Sequence, residues 1–322
     1  MNSALNYPLD SATDYLNTTL NAGIYSFEDW LNATEYAPKI VPSFGDECEL
    51  RALALHVLKF KTPLEKQVAL RALYKRGQAG QLRLDAQRDW SNNADLNQHC
   101  PGIPDKPELI RATETPRRSM NTTEGLAITI HALAHIEFNA INLALDAMVR
   151  FAGLSADYYW DWWRVAAEEA YHFSLIQGRL NQLGAQYGDY PAHSGLWDMA
   201  ERTKDSFVDR MAMVPRTLEA RGLDACPVMQ EKFRQAGEAT PHKFWTSFCA
   251  MKSPMWLWDT VGSFMRVRKI STNRCASIAV LPSTIVPREC AHRLISLRAA
   301  RQVFLKKNLK YGRTNNEPQR TG

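Results

Sequence analysis

Three long stretches of helical periodicity occupy the middle of the chain, and each places a glutamate within its apolar stripe. Apolar residues that recur at intervals of three and four are typical of helices with one buried face. The pattern predicts helix A over residues 123–151, helix B over 155–183 and helix C over 196–221, each closely followed by a glycine. Helices of roughly 25 residues suit a four-helix bundle, so the sequence predicts an all-α fold.

The acidic residues on these stripes indicate a metal site. Glu137 lies at the centre of the helix A stripe, and Glu219 lies on the apolar face of helix C. Glu169 and His172 share the stripe of helix B, and their spacing puts an oxygen and a nitrogen ligand on one helical face. Burying an unpaired carboxylate costs several kcal/mol, so three of them on facing helices call for cations. Iron or manganese suits these ligand types.

Each of these features also has a simpler explanation. A glutamate on a helix is usually solvated, and a single Glu-x-x-His spacing arises by chance. Glu168 lies beside Arg164 on a more polar strip and is expected to be exposed. His131 and His135 are one helical turn apart, a spacing that can bind metal. Because His135 points away from Glu137 around helix A, we interpret it as structural or as a supporting residue.

Two shorter helices are predicted before helix A. One covers residues 49–58, and the next starts at the cap Thr62, with Pro63 at its first position and Glu65 completing a capping box. This second helix is expected to stop at Gly77. The predicted organisation is a weakly patterned segment (1–48), a helical region with a proline-bearing connector (49–120), helices A to C (121–238) and a basic tail (239–322).

The net charge of +5 comes from the tail alone. Residues 239–322 contain 15 lysines and arginines against 3 acidic residues, which leaves 24 and 31 for residues 1–238. The first 238 residues are therefore acidic overall, and the whole-chain charge does not indicate a nucleic-acid partner.

Several features predict a cytoplasmic protein without a membrane partner. The first 15 residues lack a basic region followed by an apolar stretch, so no signal peptide is expected. No uninterrupted apolar run of 18 or more residues predicts a membrane span. The six cysteines are scattered and form no Cys-x-x-Cys pair, which favours free thiols in a reducing compartment. A small-molecule substrate of unknown identity is expected, and both a monomer and a homo-oligomer remain open.

At these residues the sequence resembles the DUF455 family. The stretches that carry the resemblance are Pro116-Arg117-Arg118, HALAHIEFNAINLALDA (131–147), AAEEAYHF (166–173), LEARGLDACP (218–227) and KFRQAGE (232–238). The resemblance implies a ferritin-like four-helix bundle with a di-iron or di-manganese centre, and oxidoreductase chemistry with dioxygen or peroxide. In that scheme Glu169 and His172 form one Glu-x-x-His pair, while Glu137 and Glu219 are the lone glutamates.

The chain departs from the family pattern where the fourth helix should follow. The family pattern there has a second Glu-x-x-His, whereas residues 239–264 contain none. We interpret this as a frame shift, because codons built from the last base of one codon and the first two of the next permit the family pattern, with several positions forced. Met251 with Lys252 then forces glutamate, and Pro254 with Met255 permits histidine three positions later. We therefore expect the fourth core helix to be missing or replaced, and the di-metal activity to be impaired.

Other interpretations stay open at this point. The helices could form a metal-free interaction module or store metal without turnover. A tRNA hydroxylase family shares the fold and the ligand scheme, so oxidative tRNA modification is an analogy based on fold alone. The basic tail, with Trp256 and Trp258, could instead be a genuine domain that binds nucleic acid.

Overall fold

The computed structural model describes residues 26–32, 43–115, 119–214, 229 and 231–235, which all belong to the unit Met1–Lys269. Within these residues helices are the regular secondary structure, and the only β-type pairs are isolated bridges. In chain order the helices are α1 (Phe27–Asn32), α2 (Leu50–Lys59), α3 (Pro63–Gln78), α4 (Ala94–Gln98), α5 (Thr123–Arg150), α6 (Ala156–Gln182), α7 (Gly195–Arg202) and α8 (Phe207–Met213). The predicted all-α class is confirmed.

Helices α5 and α6 form a long antiparallel hairpin that corresponds to the predicted helices A and B. The hydroxyl of Thr122 caps α5 by accepting from the Gly125 N–H, and Ser155 caps α6 by accepting from the Tyr158 N–H. Gly153, in the turn between them, has a φ of +74°, a conformation that side chains rarely adopt. Caps and turn together set where each helix begins and how the two lie against each other.

A second hairpin, α2 with α3, packs against the first. Helix α2 contacts α5, α3 contacts α6, and α2 and α3 contact each other, so these four helices enclose one hydrophobic core. Eight of the ten residues of α2 are buried, which leaves it little polar surface. The grouping differs from the expectation that helix C would be the third helix of the bundle.

Helix α3 begins as the sequence predicts and ends later. Thr62 accepts from the Glu65 N–H at 3.2 Å while Glu65 accepts from the Thr62 N–H at 3.1 Å, so the capping box is confirmed. The helix passes through Gly77 and ends at Gln78. A Cβ at Gly77 would lie 3.4 Å from the Trp160 ring, an ordinary van der Waals distance, so α3 continues through this glycine.

The predicted single helix C is wrong over its described part, because the chain forms two short helices there. A turn at residues 203–206 separates α7 from α8. The Thr203 hydroxyl donates to the Met199 carbonyl at 2.8 Å and accepts from Arg210 Nε at 2.9 Å. Ser206 then caps α8 by accepting from the Asp209 N–H. These local side-chain bonds compete with helix continuation. Residues 215–221, the rest of predicted helix C, lie outside the described residues.

Helix α5 is long and apolar enough to cross a membrane when judged by length and composition alone. The sequence prediction counted only uninterrupted apolar runs and therefore did not single it out. In the structure, 72% of its most apolar 18-residue window is buried inside the protein. This degree of burial is expected for a core helix.

Candidate metal centre

Glu137, Glu169 and His172 meet between the middles of α5 and α6, and we call them the triad. Nδ1 of His172 lies 3.1 Å from Oε2 of Glu169 and 3.8 Å from Oε2 of Glu137. One ligand atom from each residue lies within 4.8 Å of the other two. The three residues are exposed by 2%, 0% and 1%, so the triad is closed off from solvent in this structure.

The register of the α5–α6 hairpin explains why these residues meet. The rings of Phe138 and Phe173 are in contact at 6.2 Å between centroids, which places their sequence neighbours Glu137 and His172 at the same level. Glu169 lies one turn from His172 on the same face of α6. On the apolar stripes that carry the triad, the buried residues include Ile130, Ala134, Ile141, Ala144, Ala166 and Ile176.

The triad has the dimensions of a site for one divalent metal ion. Metals of this kind bind oxygen and nitrogen at about 2.0–2.2 Å, so ligands on opposite sides of an ion lie about 4.2 Å apart. Ligand atoms within 4.8 Å of one another need only a small closing movement to reach that spacing. Two carboxylates with one imidazole match the ligand preference of iron and manganese.

The fourth predicted ligand, Glu219, lies outside the described residues. The structure therefore brings three of the predicted ligand residues together and gives no position for the fourth. The sequence contains another Glu-x-x-His spacing at Glu289 and His292, C-terminal to residues 239–264. That pair also lies outside the described residues.

The two histidines of α5 are not in the ligand group and make other bonds. Nε2 of His131 accepts from the Gly188 N–H at 2.9 Å, and its ring stacks on Tyr187. Nδ1 of His135 lies 2.8 Å from the Tyr187 hydroxyl, while Nε2 lies 3.1 Å from the His193 carbonyl oxygen. Burial lowers the pKa of His131 to about 4, with a smaller effect from His135, and burial also lowers the pKa of His135. Both rings join α5 to the segment after α6.

The expectation that Glu168 is exposed is wrong. Its residue exposure is 7%, and it accepts from Arg164 Nε at 2.7 Å. The reason is that α3 packs on α6, so α6 is covered on more than one side. In the sequence, this coverage was indicated by aromatic residues on both sides of the helix, among them Trp163 and Tyr171. Glu168 is not in the ligand group.

Comparison with known proteins assigns the chain to a family. The model of DUF455, described as a protein of unknown function, matches residues 59–246. The chain belongs to the DUF455 family. The DUF455 match includes the whole triad and Glu219, and it stops within eight residues of Glu238.

One similar protein is an uncharacterized protein of Haemophilus influenzae. It is 54% identical to this DUF455 member over 140 residues, which are 41% of this chain and 49% of the relative. The match thus spans about half the length of that protein. No solved structure matches the chain.

Proposed function

We propose that this DUF455 member is a ferritin-like metalloprotein in which Glu137, Glu169 and His172 hold a divalent iron or manganese ion. The observation that carries the proposal is the convergence of three ligand atoms within 4.8 Å at a buried helix interface. Ferritin-like bundles build their metal sites from such inward-facing residues, with one Glu-x-x-His pair on a single helix. A bound cation also supplies the positive charge that buried carboxylates require.

The intact two-metal pattern needs more ligands than the triad offers. Glu219 would be the second lone glutamate, and another Glu-x-x-His helix would complete the second metal position. Residues 239–264 do not encode that pair, so we expect this chain to hold one ion at most and to bind it weakly. The proposed activity, oxidoreductase chemistry with dioxygen or peroxide, is then impaired relative to a complete site.

A bound iron or manganese ion supplies the electron exchange, and the protein controls its surroundings. Glu169 and His172 fix the ion from one face of α6, and Glu137 binds it from α5. The apolar side chains around the triad keep bulk water away, which raises the strength of every charge interaction inside. Nδ1 of His172 lies 3.1 Å from Oε2 of Glu169, so both groups already face the same point, and a bound ion would take the place of the proton between them.

Metal analysis of matched variants tests the proposal. The full chain is dialysed to equilibrium against Fe(II) without oxygen, or against Mn(II), and the metal bound per chain is measured by mass spectrometry. Wild type is expected to bind about one ion per chain at saturating metal, while Glu169→Gln weakens binding by at least about tenfold. Glu168→Gln is the control, because it changes a buried neighbouring glutamate outside the ligand group.

The outcomes separate the alternatives. A wild-type protein without metal, or equal retention by Glu169→Gln, would overturn the proposal and favour a metal-free interaction module. Two ions per chain would instead contradict the inference that this chain lacks the ligands for a second metal ion. Oxygen consumption by the Fe(II)-loaded protein, measured against Glu169→Gln, distinguishes an oxidoreductase from a metal store that binds without turnover.

A further inference from the structure

A short strap, residues 183–194, joins α6 to α7 and lies against α5. Tyr187 of this strap packs on Phe138 of α5 at 5.7 Å and on Phe173 of α6 at 5.2 Å between ring centroids. Those two rings also contact each other, so the three form one aromatic cluster, which we call the trio. The trio therefore lies across the seam between α5 and α6.

The trio borders both the triad residues and the surface. Phe138 directly follows Glu137 in sequence, and Phe173 directly follows His172. Both phenylalanines are buried. Phe138 and Tyr187 also line a groove that is open to solvent. The three rings are thus the neighbours of the ligand residues on one side and of the groove on the other.

The closed structure leaves little room for an ion to reach the triad. The triad residues are at most 2% exposed, and the groove has a volume of about 40 Å³. This volume holds one or a few water molecules and is too small for a metal ion with its hydration shell. An ion therefore enters only after part of the surrounding structure moves, and the elements that move for a ligand are those of low local stability.

The strap has the features of an element that can move. Gly184 and Gly188 have φ values of +78° and +109°, which glycine adopts easily, so the chain can bend on both sides of Tyr187. Side-chain bonds hold the strap closed. The Gly188 N–H donates to Nε2 of His131 at 2.9 Å, and the Tyr187 hydroxyl lies 2.8 Å from Nδ1 of His135. These bonds can break without disturbing the backbone bonds of α5 or α6.

We propose that the strap is a gate for metal exchange at the triad and that Tyr187 is its closing residue. The inference rests on the proposed metal centre and adds the route by which an ion reaches it. When Tyr187 leaves the two phenylalanines, the groove extends toward Glu137 and His172. A residue that only bars the path interacts equally with the metal-free and the metal-bound site, so it changes the rates of uptake and release by the same factor and leaves the affinity unchanged.

The kinetics of Mn(II) exchange in the full-length protein test the gate. Uptake is followed by the loss of the EPR signal of free Mn(II), and release is followed after an excess of chelator is added. The uptake rate of wild type is expected to reach a plateau as Mn(II) increases, because opening of the strap becomes limiting. Tyr187→Ala should raise both rates by at least about tenfold, because it removes the two aromatic contacts that hold the gate closed. Its dissociation constant should stay within about threefold of wild type.

A conservative variant and a matched control accompany this change. Tyr187→Phe keeps the ring and removes the bond to His135, so it should raise both rates by about three- to tenfold. It also keeps the test valid if Tyr187→Ala does not fold. Tyr190→Phe makes the same change on the same strap, at a ring that contacts His131 edge-on and is not part of the trio. This control should exchange Mn(II) at the wild-type rates.

The possible results distinguish the gate from the metal centre. Wild-type exchange rates in both Tyr187 variants, with Mn(II) still bound at equilibrium, would overturn the gate and leave the metal centre standing. An uptake rate that rises linearly with Mn(II) would contradict the gate as well. A dissociation constant that changes as much as the rates would show that Tyr187 supports the site and does not control entry. If equilibrium dialysis finds no bound Mn(II), the proposed metal centre fails, and the gate fails with it.

Discussion

Nε of Arg51 on α2 donates to the carbonyl oxygen of Met148, in the last turn of α5, at 2.9 Å. The same guanidinium donates to the carbonyls of Val149 at 2.8 Å and Arg88 at 2.6 Å. Its carbon lies 4.9 Å from the centroid of the Tyr159 ring, and the residue is fully buried. One arginine therefore satisfies the last carbonyls of α5 and ties α2 to the long hairpin.

We predict that Arg51→Lys destabilises the protein by about 2–4 kcal/mol, because an ammonium cannot reproduce the forked donors and leaves buried carbonyls without partners. Urea unfolding followed by circular dichroism measures the change. Arg202→Lys, at an exposed position, is the control and should change stability by less than about 0.5 kcal/mol. Equal unfolding midpoints for the two variants would contradict the assigned role of Arg51.

Sequence patterns predicted the parts of the fold that depend on local chemistry. The capping box at Thr62 and the cap at Ser155 depend on residues within four positions, so their bonds can be read directly from the sequence. The role of Arg51 depends on carbonyls 97 positions away in sequence, which no local pattern encodes. The break in helix C was missed for a similar reason, because Arg210 reaches back to Thr203 only when the chain turns.

For the candidate site too, the features set by local geometry could be predicted from the sequence, and those set by tertiary packing could not. Glu169 and His172 are an i, i+3 pair, so their shared face follows from helical geometry, and the hairpin register brings Glu137 to them. The position of Glu137 on a continuous apolar stripe was enough to predict that it faces the core. The burial of Glu168 could not be predicted from its own helix, because α3 covers it.

Acid is predicted to destabilise the protein through His131. Burial lowers the pKa of His131 to about 4, against about 6.5 in an unfolded chain, so the folded state favours the neutral ring. The contribution of the neutral His131 ring to the free energy of unfolding is complete above about pH 6.5. It is lost as the pH falls from about 6.5 to about 4, because the unfolded chain binds the proton at a higher pH than the folded chain does. The full loss is about 3 kcal/mol.

Urea unfolding at several values between pH 7 and pH 4 measures this effect. His131→Gln keeps an acceptor for the Gly188 N–H and removes the titrating group, so its stability should decline less over this range than that of wild type. Other groups titrate in both proteins alike and cancel in the comparison. Parallel curves for the two proteins would show that His131 does not contribute.

A buried carboxylate between two arginines holds α8 against α5. Asp146 accepts from Nη2 of Arg150 at 2.7 Å and from Nη1 of Arg210, while Nη2 of Arg210 donates to the Ala200 carbonyl at 2.7 Å. Asp146→Asn would leave two buried guanidinium groups without their counter-charge, so we predict a loss of about 3–5 kcal/mol. The measurement is the urea midpoint, with Asp205→Asn at an exposed position as the control. A loss below about 1 kcal/mol would indicate that solvent or another acidic group compensates the arginines.

The codons after residue 238 test whether the basic tail arose from a frame shift. The family match extends only to residue 246, close to the point where a shifted frame begins to reproduce the missing pattern. In that frame Met251 and Lys252 together encode glutamate whatever lysine codon is used. The shifted codon three positions later consists of the third base of the Pro254 codon and the first two bases, AT, of the Met255 codon. It encodes histidine (CAT) only when the Pro254 codon ends in C. The nucleotide sequence therefore tests the hypothesis directly, and any other third base in the Pro254 codon would sink it.

If the codon agrees, resequencing of the gene between the codons for Glu238 and Phe244 is expected to reveal one base gained or lost. Expression of the corrected gene should raise the metal content from at most one ion per chain to two, because a second Glu-x-x-His pair completes the site. The matched control is the corrected protein with Glu169→Gln, which should bind metal poorly even with the restored helix. A corrected protein that binds no more metal than the present chain would contradict the prediction that the shifted frame supplies the second pair of ligands.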